Sequence, residues 1–162
     1  LGRLDDPIGR LAGLLRHTPV DALRARLSAL RASKAEAAAV VRTVSGARGA
    51  LAAPAIDPPL LRRLALDARE SIDGVRALVA AVDPERGAAL DAAWSELVAV
   101  EDLGAPPLVD GAAVQRTLGV EPGRIVGEAL AYLEAVRIDE GPLPEAEQLD
   151  RLRAWWAARS DG

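Results

Sequence analysis

Apolar positions recur at helical spacing along nearly the whole chain, and each recurrence is introduced by a start signal. In DDPIGRLAGLLR, Asp6 fits an N-cap and Pro7 the first helical position. TPVDALRARLSALRA repeats the device with Thr18, Pro19 and Asp21, and puts Val20, Leu23, Leu27 and Leu30 on one face. In SKAEAAAVVRTV, Ser33 and Glu36 have capping-box spacing. Further helices start at Asp57 and at Asp83–Pro84, the latter turning Ala89, Trp94, Leu97 and Val98 inward. An acid-rich break around residues 67–74 reads as a kink or a short link.

The pattern breaks at EDLGAPPLV, residues 101–109, where a glycine and two prolines interrupt it. A compact set follows: a short helix near 111–118, a longer one near 122–138, a turn at DEGPLP, and a last helix from about Pro144 to Arg159. No alternating strand pattern is visible. The expected fold is all-α: a helical array over residues 1–105, with a small C-terminal helical tail subdomain over 106–162.

Composition narrows the core. With no Phe, Met or Cys, three Trp and one Tyr, it must be built from Leu, Val, Ile and Ala, which suits closely approaching helices. The lack of Cys excludes disulfides and thiolate metal sites, and a single histidine cannot form a His cluster. The lack of any apolar run of about 18 residues argues against a membrane span. The first residue is Leu1, so a processed product or an excised piece of a longer protein is expected.

The net charge of −4 hides a gradient: +6 over residues 1–69, −6 over 70–105 and −4 over 106–162. A polyanion would therefore be met by the N-terminal part. Catalytic patterns are absent. Without Cys and with one His, Cys–His dyads are excluded and a Ser–His–Asp triad is improbable. His17, just before a helix start, reads as a capping or surface residue. No Asp-x-Asp pair follows a Gly-Ser segment, as a two-metal phosphoryl-transfer site requires.

One stretch poses a specific question. LGVEPGRIVGEAL, residues 118–130, places Gly119, Gly123 and Gly127 four apart at a helix entry. Either backbone closely approaches backbone there, or something other than protein approaches it. Gly119 fits a left-handed helix end, and Pro122 fits the first turn of the next helix with Gly123 beside it. Free N–H groups at that start suit a phosphate oxygen, and Gly127 leaves room for a second helix or a ribose. A tight helix–turn–helix corner would use the same residues.

Residues 108–149 carry Asp110-Gly111, then Gly119, Pro122, Gly123, Gly127 and Leu130 on a Gly-hydrophobic-x-Pro-Gly-x-x-hydrophobic-Gly frame, then Gly141 in an acidic turn. This resembles the C-terminal tail of bacterial CCA-adding enzymes, tRNA nucleotidyltransferases of the poly(A) polymerase-like class. Upstream, LRASKAEAAAVVRTV and LLRRLALDARE resemble the body helices of that family. The family's Gly-Ser and Asp-x-Asp head signature is missing, as is its Glu-Asp-x-x-Arg neck template. Glu121 stands where Lys is common, and Arg124 where Pro is common.

The resemblance implies a cytoplasmic, tRNA-positioning body-and-tail region, not catalytic by itself. Its partners would be tRNA and the catalytic head and neck of the same parent chain, with no membrane. Mg2+ and CTP or ATP would belong to the missing head, with no cofactor in this region. The RNA-contacting residues would be Arg24, Arg26, Arg31, Lys34, Arg42 and Arg48 in the body, with Gly119, Gly123, Arg124 and Gly127 in the tail. The alternatives are a helical scaffold whose glycines serve only packing, and the equivalent region of a poly(A) polymerase. Of the adjacent tryptophans, Trp156 is expected to pack with Leu149 and Leu152 in the tail core, with Trp155 at its edge against the body.

Overall fold

The computed structural model describes residues 7–160, with Ser160 described by its backbone alone. The chain divides into two compact units, Leu1–Leu103 and Gly104–Gly162. All regular structure in the described residues is helical. The N-cap expected at Asp6 lies outside them.

The first unit contains α1 (Pro7–Leu15), α2 (Val20–Ala29), α3 (Lys34–Ala52), α4 (Pro58–Ala68), a 3-10 turn (Arg69–Ser71), α5 (Ile72–Val82) and α6 (Pro84–Val98). Short polar side chains set most of the starts. The Ser33–Glu36 box is complete: Ser33 N–H donates to Glu36 Oε2 at 2.8 Å, and Glu36 N–H donates to Ser33 Oγ at 3.2 Å. Asp57 accepts from Leu60 N–H at 2.9 Å, and Asp83 accepts from Arg86 N–H at 3.0 Å. The break around residues 67–74 is the 3-10 turn, entered through Arg69 at φ 49°.

α3 is the axis of this unit and packs against α1, α2, α4 and α5. Val40, Val44, Ala47 and Ala50 form its buried stripe, joined by Leu23, Leu27, Leu61, Leu64, Val75, Leu78, Val79 and Leu90. Two glycines in this unit mark close helix approach. A Cβ on Gly46 would stand 2.8 Å from Val75 Cγ2, and one on Gly87 would stand 2.4 Å from Ala80 Cα. Arg86 closes the end of α3 by donating from Nε to Ala50 O at 2.6 Å and from Nη2 to Ala53 O.

Three expected details differ here. Thr18 does not cap α2. Pro19 holds the N-cap position, and Thr18 is buried with its carbonyl accepting from Arg48 Nη2 at 2.6 Å. Leu30 is exposed because α2 ends at Ala29, one residue before the apolar stripe would reach it. On α6, Gly87, Leu90 and Leu97 are buried with Trp94 beside them, while Ala89 and Val98 face outward. The close pass of Gly87 at Ala80 turns that helix.

The second unit contains α7 (Gly111–Leu118), α8 (Arg124–Glu140) and α9 (Glu145–Ser160), each packed against the other two. Asp110 caps α7 by accepting from Ala113 N–H at 2.8 Å. The core is small: Val109, Ala113, Val114, Val126, Ala129, Leu133 and Leu152, with Leu118, Leu130, Tyr132, Leu149 and Trp155 against it. Trp155, not Trp156, closes this core. The face of α9 follows Leu149, Leu152 and Trp155 at i, i+3 spacing, which turns Trp156 away from it. Among the described residues, no helix is long and apolar enough to cross a membrane.

Candidate nucleic-acid interface

The turn between α7 and α8 is built from glycine conformations. Gly119 adopts φ 66°, and its N–H donates to Gln115 O at 2.9 Å, ending α7. That left-handed geometry favours glycine. Pro122 does not enter the next helix as expected. Gly123 is the N-cap of α8 in extended backbone, and its carbonyl accepts from Val126 N–H at 3.1 Å and Gly127 N–H at 3.4 Å. The helix therefore begins one residue after Gly123, at Arg124.

A Cβ built on Gly119, Gly123 or Gly127 would meet no atom within 4 Å. All three are exposed. The contrast with Gly46 and Gly87 is direct: those glycines are needed for helix approach, whereas these are not. The positive φ accounts for Gly119 but for neither of the others.

Charge at this turn is mixed. Arg124 is 84% exposed, with Nη1 at 3.3 Å from Glu128 Oε1. Glu128 Oε2 lies 2.7 Å from Arg159 Nη2, although that covered oxygen has no well-aligned hydrogen bond. The Arg159 guanidinium in turn sits over the Trp155 ring, 5.1 Å from its centroid. Arg124 is thus the accessible end of an Arg124–Glu128–Arg159 relay, and Glu121 is exposed nearby in sequence.

In the first unit the six expected cations separate into two groups. Arg24, Arg26, Arg31 and Lys34 are exposed, with no carboxylate partner among the described residues. Arg24 and Arg26 flank the buried Leu23–Leu27 stripe on opposite sides of α2, so they do not share one face. Arg31 follows α2 at φ 57°, and Lys34 opens α3. The other two cations serve the fold. Arg42 pairs with Glu70 and reaches Ser71 Oγ at 3.4 Å. Arg48 is half-buried, with Nε donating to Arg16 O at 2.8 Å and Nη2 to Thr18 O at 2.6 Å. Their charge counts toward the basic balance, but these bonds hold them against their own unit rather than leaving them on the open surface with the other four.

His17 is exposed at the edge of a cleft that also involves Arg16 and Arg48. Sequence pattern alone does not group Arg16, Tyr132 or Arg159 with other functional side chains. For Arg159, the i, i+4 spacing from Trp155 is the one signal that could have done so. Among the described residues, no group of three His, Cys, Asp or Glu could hold a metal ion. Comparison with protein-family profiles, with curated proteins and with solved structures finds no match for this chain.

Proposed function

We propose that this chain is the tRNA-positioning body-and-tail region of a CCA-adding nucleotidyltransferase. The observation that carries the reading is the open start of α8. Gly123 and Gly127 lie exposed where nothing packs on them and neither has a positive φ, so their lack of side chains serves no contact seen within the chain. A ribose–phosphate backbone is the kind of partner that needs such room beside helix N–H groups. The tail resemblance at Asp110, Gly119, Pro122, Gly123 and Gly127 points to the same partner. Arg24, Arg26, Arg31 and Lys34, exposed and without a carboxylate partner among the described residues, add a sequence-independent attraction, suited to a protein that accepts every tRNA. Chemistry would belong to a head carrying the two-metal acid pair, and this chain alone is expected to incorporate neither CTP nor ATP.

The test is tRNA binding by the chain, followed by anisotropy over a salt series, for the native sequence and for Gly127→Ala. Alanine should strengthen α8 by about 1 kcal/mol. The expected result is a higher melting temperature together with weaker tRNA binding. Binding that is absent, or unchanged in a stabilised Gly127→Ala protein, favours the scaffold reading.

A further inference from the structure

A second site lies in the first unit, away from its exposed cations. A cleft of about 500 Å3 opens beside α1, α3 and α5, with Val44, Ala47, Leu51, Leu78 and Val82 as its apolar lining and Arg16, His17 and Arg48 as its polar lining. Among the described residues, no acidic residue lines it. The nearest acid in sequence, Asp83, is occupied in capping α6 through Arg86 N–H.

The two arginines are held by backbone carbonyls rather than by an acid. Arg48 is half-buried and fixed by the carbonyls of Arg16 and Thr18, while Arg16 Nη1 donates to Gly13 O at 2.8 Å. These carbonyls satisfy N–H groups but carry no net charge. Neither guanidinium has a carboxylate within ion-pair distance among the described residues. A half-buried guanidinium beside an apolar wall is less well solvated than one in open water, so an anion brought to it is attracted more strongly. Two line this largely apolar cleft, each fixed by hydrogen bonds to backbone carbonyls and lacking a counter-charge among the described residues. The cleft's size is that of a small-molecule site, and an apolar wall with a few converging polar groups is the usual composition of one.

We infer that this cleft binds a small amphipathic carboxylate, its apolar part against Leu51, Leu78 and Val82 and its anionic head at Arg16 and Arg48. Because both guanidiniums are already oriented, little side-chain freedom is lost on binding. The inference is independent of the tRNA reading, since it uses none of the exposed cations and none of the tail.

Octanoate and 1-octanol serve as probes, matched in chain length and differing in charge, titrated into the isotope-labelled full chain and followed by NMR. Octanoate should bind saturably, shift the methyl signals of Ala47, Leu51, Leu78 and Val82, and bind at least tenfold more tightly than octanol. Ala52→Glu, at an exposed position on the cleft wall, should weaken octanoate at least tenfold without changing octanol binding. Arg16→Gln provides a second variant with the same expectation. Equal affinity for the two probes, shifts that map elsewhere, or octanoate binding unaffected in both folded variants would overturn the inference. So would binding of an acidic leucine-rich peptide at this cleft with no binding of octanoate.

Discussion

Trp155 stacks on Tyr132, with ring centroids 5.6 Å apart and planes 20° from parallel, and so joins the last helix of the tail to the long one before it. The pair holds the tail's only tyrosine and one of its two tryptophans. The Arg159 guanidinium also lies over the Trp155 ring and reaches Glu128 on α8, so this side chain has an aromatic and a cationic neighbour. Trp155→Ala should destabilise the second unit by about 3 kcal/mol, the lower end expected for a large aromatic because this one is only half-buried. Trp156→Ala should cost clearly less. Thermal unfolding of the two variants, monitored by the near-ultraviolet signal, decides the order, and equal losses would contradict it.

The two kinds of glycine separate in a second experiment. At Gly87 an alanine Cβ would stand 2.4 Å from the Ala80 Cα, a backbone atom that cannot swing away. Overpacking of about 1–3 kcal/mol should then outweigh the helix-propensity gain of roughly 1 kcal/mol, and Gly87→Ala should lower the melting temperature. Gly127→Ala meets no atom and should raise it. A stabilised Gly87→Ala protein would show that α5 and α6 are not held at this separation.

The all-helical fold was legible because its signals are local. Asp57, Asp83, Asp110 and the Ser33–Glu36 pair act within three residues of themselves, and each caps the helix that its spacing announces. What escaped the sequence depends on distant contacts. Leu30 and Val98 have helical spacing but fall where a helix stops or turns outward, and only the packing of α2 and α6 decides that. Arg42 and Arg48 read as surface cations because their partners Glu70, Arg16 and Thr18 lie about thirty residues away. Trp155 and Trp156 differ by one helical step, and the packing of α9 against Tyr132 selects between them.

The capping box predicts a pH effect of known sign. The Ser33 backbone N–H, and then the Ser33 hydroxyl, hold the Glu36 carboxyl below its ordinary value. A carboxylate whose folded pKa is lowered contributes stability that is present above its unfolded pKa and lost as pH falls through the folded one. Ser33→Ala removes the hydroxyl but keeps the backbone N–H, so it should raise the Glu36 pKa only part of the way toward that of a free glutamate, and should cost ~1 kcal/mol near neutral pH by loss of the cap. NMR titration of Glu36 in both proteins checks the shift. A pKa unmoved by the substitution would mean that the hydroxyl takes no part in holding the carboxylate.

Arg62 and Glu101 test a different balance. Nε and Nη2 of Arg62 donate to the two carboxylate oxygens at 2.9 and 2.6 Å, and the side chains are only 12% and 14% exposed. The bond to Glu101 holds the Arg62 guanidinium more firmly protonated than usual. Arg62→Ala would leave a largely buried carboxylate without this partner, and a loss of about 3–5 kcal/mol follows. Replacing both by apolar residues, Arg62→Leu with Glu101→Leu, should recover most of it, since removing both charges also removes their desolvation cost. Denaturant unfolding of the single and double variants measures the coupling, and additive losses would contradict it.

Arg31 joins stability to binding at one residue. It occupies φ 57°, a left-handed conformation that costs a bulky L-residue roughly 1–2 kcal/mol and a glycine almost nothing, while its charge stays exposed with no carboxylate partner among the described residues. Its N–H donates to Ser28 O at 3.0 Å and the next N–H, of Ala32, to Leu27 O at 3.0 Å, so the backbone turn itself does not require the side chain. Arg31→Gly should therefore raise the melting temperature of the first unit. If the exposed cations meet a nucleic acid, the same substitution should weaken tRNA binding. The slope of log affinity against log salt should then fall by about 0.7–0.9, because one phosphate fewer is neutralised. Arg31→Lys separates the two effects: it keeps the charge and the strained backbone, so affinity and salt slope should stay near native without the gain in stability. Tighter or unchanged tRNA binding by a stabilised Arg31→Gly protein would remove Arg31 from the interface and leave its conformation a cost without a use.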